Sequence, residues 1–89
     1  MKTLEQRVRN FLERPLPDEV ALHYEPDSLT EMFLRTFAQG QPLDAGLIQM
    51  GKICLGELDQ TIAQVNTEAA REYFIECRKL LTEVLQQVI

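Results

Sequence analysis

Apolar residues in this chain recur every three or four positions in four stretches, and nowhere do they alternate convincingly as a strand would. In the first stretch Leu4, Val8, Phe11 and Leu12 form a narrow stripe, predicting a helix over residues 1–14 that Pro15 and Pro17 stop. Residues 15–27, closed by Pro26, read as an irregular strap whose Val20, Leu22 and Tyr24 can lie against the body. A second helix, 28–39, opens with the capping box "SLTE", in which Ser28 and Glu31 each satisfy a free backbone amide. Its stripe reads Leu29, Met32, Phe33 and Phe37, with Leu34 off it; Gly40 suits the left-handed position after the last turn, and Pro42 prevents continuation.

The third helix, 44–65, takes Asp44 as its cap and gathers Leu47, Ile48, Cys54, Leu55, Leu58, Ile62 and Val65 into an arc about 120° wide. Asn66 or Thr67 then caps a fourth helix, 67–88, in which Ala70, Tyr73, Phe74, Cys77, Leu80, Leu81, Val84, Leu85 and Val88 keep the helical spacing to the end. So short a link predicts an antiparallel hairpin. Residues equally distant from the turn then face each other, which sets Leu58 near Tyr73 and Phe74, and Gly51 near Leu80 and Leu81. The predicted fold is all-α: a single domain over 1–89 made of a small antiparallel helical hairpin plus one or two shorter N-terminal helices, assembled as a dimeric helical bundle.

Within the third helix stand Gly46, Gly51 and Gly56, although each glycine in a helix interior costs about 0.5–1 kcal/mol relative to alanine. A spacing of five turns successive glycines by about 140°, so they occupy different faces and make no continuous groove. Gly46 lies in the first turn. Gly51 lies inside the apolar arc and reads as a packing notch, with a functional hinge as the alternative, while Gly56 lies on the polar side, where it is either simply tolerated or lets a partner's backbone approach.

Composition narrows the possibilities. At 89 residues the chain supports one small domain whose monomeric core is marginal. No apolar run approaches the roughly 20 residues of a membrane span, and the opening "MKTLEQRVRN" lacks a signal-like apolar run, which predicts a cytoplasmic location and no membrane partner. The net charge of −5 is uneven: residues 1–14 carry four basic against two acidic groups, a net of +2, leaving −7 on the remainder. An acidic body repels phosphate, so nucleic acid is a disfavoured partner; Arg7, Arg9 and Arg14 supply the candidate weak phosphate contacts.

Chemistry is sparse. The single histidine, His23, lies in the strap, and neither Ser28 nor either cysteine sits in a nucleophile motif. Cys54 and Cys77 lie 12 residues before and 11 after Asn66, so they can meet at one level of the hairpin; reduced, buried thiols are the default there, with a redox disulfide as the alternative. No metal set, phosphate loop or cofactor motif is present, and no enzyme activity is expected. Glu68, Glu72, Glu76 and Glu83 read as a solvated helix face. What remains is surface: Leu34, Ile53, Ile75 and Ile89 lie outside the main stripes, and Leu34, Gly51, Ile53, Gly56 and Ile75 form the candidate dimer or partner interface.

The run from Ser28 to Val88 resembles the YmgB/AriR-type family of small bacterial regulators, associated with biofilm formation and acid resistance, some of which connect to two-component signalling. A short capped helix, the break from Gly40 to Leu43, a longer helix with a late pair at Leu58 and Asp59, and a leucine-rich final helix carry the likeness. It implies an all-α homodimer without cofactor that modulates a regulatory protein. The expected function is thus regulation by protein–protein interaction; the alternatives are a DNA-binding transcriptional regulator, which the family also suggests, and a small acidic secretion chaperone.

Overall fold

The computed structural model describes residues 2–23 and 29–88. These form five helices: α1 (Leu4–Leu12), α2 (Asp18–His23), α3 (Leu29–Ala38), α4 (Ala45–Gln64) and α5 (Glu68–Val88), with no strand among the described residues. The expected cap at Ser28, the strap positions Tyr24 and Pro26, the His23 side chain and Ile89 lie outside what is described.

Each boundary has a local cause. Thr3 caps α1 in a capping box with Gln6. Gly40, at φ +75°, follows α3 in the left-handed conformation that Cβ-bearing residues avoid. Asp44 caps α4 by accepting from the Leu47 amide at 2.8 Å. Thr67 caps α5 through its hydroxyl oxygen, which accepts from the Ala70 amide at 3.2 Å. Between these last two helices the chain turns in three residues, and α4 and α5 share the most extensive interface in the molecule.

The strap is a correction. Residues 18–23 are helical, and α2 is tied to the hairpin turn by Glu19, whose carboxylate accepts from the Asn66 amide at 2.9 Å and the Thr67 amide at 2.7 Å. A carboxylate there meets the free amides and the positive dipole end of α5. Val20, buried against the core, completes the docking.

The face of α3 is the second correction. Thr30, Phe33, Leu34, Phe37 and Ala38 point inward, whereas Leu29 and Met32 are about half exposed, at 49% and 46%. Leu34, expected off the stripe and at an interface with another molecule, is completely buried within this chain. The helix is rotated because α3 is covered from two sides. α1 docks beside its C-terminal half, where the Arg9 guanidinium donates to the Ala38 carbonyl at 2.8 Å, and α4 docks beside Phe33.

Gly51 is a notch, as its position in the arc implies, but its occupant differs from the expected Leu80 and Leu81. A Cβ there would stand 2.9 Å from Cε2 of Phe33 and 3.2 Å from Cδ2 of Leu85. The missing side chain admits the Phe33 ring from α3 and, from α5, a leucine one turn beyond those named. Gly56 faces open space.

Candidate functional site

Where α1, α2 and the first turn of α3 meet the hairpin, the packing leaves a cleft of about 210 Å³. Its walls are apolar: Phe11 from α1, Leu16 and Val20 from the α2 region, Leu34 from α3, Leu58 from α4 and Phe74 from α5. Carboxylates stand at its edge, Glu31 one turn before Leu34 and Glu57 beside Leu58. Glu31 pairs with Arg35 one turn along α3. Glu57 is exposed, and its carboxylate has no ion-pair partner among the described residues. Tyr73 also borders the cleft, stacked on Phe11 with ring centroids 4.9 Å apart; burial pushes its phenol up to about 12, so it stays a neutral hydroxyl. The cleft was not legible in the sequence, because its walls come from five separate segments.

Of the positions expected to face another molecule, Ile53 and Ile75 are indeed exposed, at 55% and 49%, on outward faces of α4 and α5. Gly56 is exposed as well, whereas Gly51 and Leu34 are interior. Leu29 and Met32 were missed, and with Ile53 they make the more coherent surface. Phe33 marks the edge of α3 against α4, since its ring reaches Gly51. At 100° per residue, Leu29 and Met32 fall on the solvent side of that edge; on α4, Glu57 shares the cleft with the first turn of α3, and Ile53, four residues before it, lies about 40° further toward solvent. Three exposed apolar side chains therefore flank one seam, which continues one turn along α4 to Glu57 at the lip of the cleft. Leu22 and Ile75 stand elsewhere.

The expected phosphate contacts are differently occupied. Arg7 makes a bidentate pair with Glu83, donating from its two terminal nitrogens at 3.0 and 2.8 Å, with both side chains about one-third exposed at 34%. Arg9 is held by the Ala38 carbonyl, and Arg14, beyond the end of α1, lies over the Phe11 ring at 5.9 Å. The first helix thus uses its basic side chains to fasten itself to α5, α3 and its own ring. The Arg7 guanidinium, by hydrogen bonding, holds the Glu83 carboxyl below its ordinary value of 4.5. A lowered folded-state value means that the contribution is present above 4.5 and is lost as pH falls through the folded value. Glu83→Gln is accordingly expected to flatten part of the acid-side loss of stability in thermal melts between pH 6 and 3, a small effect because the pair is near the surface.

Cys54 and Cys77 are both free and buried, and each lies on the hairpin's inner face. Burial, reinforced by the neighbouring Cys54, raises the Cys77 thiol to about 12, which leaves it protonated and unreactive. A thiol-titrating reagent is expected to label neither cysteine in native buffer and both in denaturant; rapid labelling of the native protein would contradict this placement. Among the described residues no three His, Cys, Asp or Glu side chains gather as a metal set, and no helix is long and apolar enough to cross a membrane.

No family model, curated protein or solved structure matches this chain.

Proposed function

We propose that this protein is a non-enzymatic interaction module, acting in the cytoplasm as a homodimer that modulates a bacterial regulatory or signalling protein. The observation that carries the reading is the α3–α4 seam, where Leu29, Met32 and Ile53 are each about half exposed beside a core that the chain's own helices already close. Scattered exposed apolar residues need no explanation, but three bordering one seam of so small a domain suit a binding surface. The buried Cys77 thiol, held neutral, is not a ready nucleophile. Direct DNA binding is the weaker reading, because a phosphate would have to displace Glu83 from Arg7 and the Ala38 carbonyl from Arg9.

The test is binding to a defined partner. A protein captured from the host by the wild type is purified and titrated against wild type, Met32→Asp and Ile75→Asp. We expect a charge at Met32, which separates the dimer that the partner recognises, to weaken binding at least about tenfold, the effect of roughly 1.4 kcal/mol, and Ile75→Asp to leave it intact. Equal binding by all three, or no binding between purified components, contradicts the proposed surface.

A further inference from the structure

The cleft between α1, α2, α3 and the hairpin has a shape and a charge that the interaction reading leaves unused. At about 210 Å³ it exceeds the roughly 150 Å³ of an engineered cavity that binds benzene, yet falls below the roughly 300 Å³ at which sites for larger ligands begin. It therefore has room for one ring or branched chain and a short arm. Phe11, Leu34, Leu58 and Phe74 supply an apolar interior, and the side chains that hold it open belong to the fixed core. Among the described residues, the charged groups lining it are carboxylates, with no lysine or arginine. Glu31 is already engaged by Arg35, whereas the Glu57 carboxylate faces solvent without an ion-pair partner among the described residues. The molecule's net charge of −5 adds a field of the same sign.

We propose that this cleft binds a small organic ammonium ion bearing one aromatic or branched aliphatic group, with the apolar group between Leu34, Leu58 and Phe74 and the ammonium at Glu57. An anion of the same shape meets the unpaired Glu57 carboxylate, while the guanidiniums nearest the cleft are already engaged, Arg35 on Glu31 and Arg14 over the Phe11 ring. A neutral analogue keeps the apolar contact and loses the charge-assisted hydrogen bond. Tyr73, a neutral hydroxyl at the cleft wall, offers a further acceptor for the ammonium. Occupancy would bring a ligand to the end of the α3–α4 seam, although binding in the cleft does not depend on that seam having a partner.

Three probes of one shape decide the matter: 2-phenylethylammonium, 2-phenylethanol and 3-phenylpropionate, each titrated into the isotopically labelled full chain to roughly 10 mM and followed by amide chemical shifts, a range suited to ligands of this size. The ammonium is expected to bind on the order of millimolar or tighter, shifting amides around Leu34, Leu58 and Phe74. The alcohol should bind about tenfold more weakly, and the carboxylate not at all. Glu57→Gln, on an exposed helix face where folding is not at stake, should bring the ammonium down to the alcohol's affinity. Leu16→Phe, which fills the cleft, should abolish binding of both while retaining the wild-type helical spectrum. Equal binding by all three probes, no binding by any, or ammonium shifts confined to the acidic face of α5 would each overturn the proposal. Failure of the α3–α4 surface in the partner titration would leave these outcomes unchanged, so the two readings fall separately.

Discussion

Leu34→Ala is expected to lower the unfolding free energy by about 2–5 kcal/mol, whereas Leu29→Ala, five residues earlier on the same helix, should change it by less than about 0.5 kcal/mol. The two leucines differ in burial: Leu34, in mid-helix, is completely buried, and Leu29, the first residue of α3, is 49% exposed. Removing the Leu34 side chain deletes its contacts inside the bundle and enlarges a cleft that the surrounding helices cannot collapse without giving up their own docking. Domains of this length hold roughly 5–13 kcal/mol in total, so the loss is a large fraction of the whole. In urea, the midpoint of Leu34→Ala should fall sharply at an unchanged slope. A neutral Leu34→Ala beside a costly Leu29→Ala would reverse the assignment of the α3 face and remove the binding seam with it.

Gly51→Leu carries the second large effect. Even a methyl group at this position would approach Cε2 and Cζ of Phe33 to 2.9 and 3.0 Å, and that ring is completely buried, so it has little room to yield. Overpacking of this kind costs about 1–3 kcal/mol, and a leucine adds three carbons beyond the one already in conflict. The corresponding fall in melting temperature is about 4–8 °C for each kcal/mol in a domain of this size. Gly56 provides the control. Nothing lies within 4 Å of a Cβ there, so Gly56→Ala should gain helix propensity, up to about 0.5–1 kcal/mol, without a steric cost. If Gly51→Leu melted at the wild-type temperature, α3 could not be seated on α4 as described.

The hairpin was legible because two long helices each bury one continuous stripe, and a period repeated over 20 or 21 residues leaves little choice of face. On α3 the same method had too much apolar material. Leu29, Met32, Phe33, Leu34, Phe37 and Ala38 occupy most of the circumference of ten residues, so two arcs score alike. Which arc turns inward depends on α1 and α4 docking from opposite sides, a tertiary fact with no local signal. The α2 segment was lost for a related reason: six residues complete too few turns to show a period, and its anchor, Glu19, bonds backbone amides 47 and 48 positions away. Arg7 and Arg9 read as free charges for the same cause, since Glu83 and the Ala38 carbonyl lie 76 and 29 residues off. The cleft combines all these blind spots, as its walls depend on the placement of α2 and the rotation of α3.

The surface assigned to α3 and α4 makes its most direct claim about mass in solution. Light scattering on the purified chain at micromolar concentration should return about twice the 10.3 kDa subunit, and Met32→Asp should return it to the subunit mass with its helical content intact. A wild-type protein that stays at 10.3 kDa throughout that range would contradict the account.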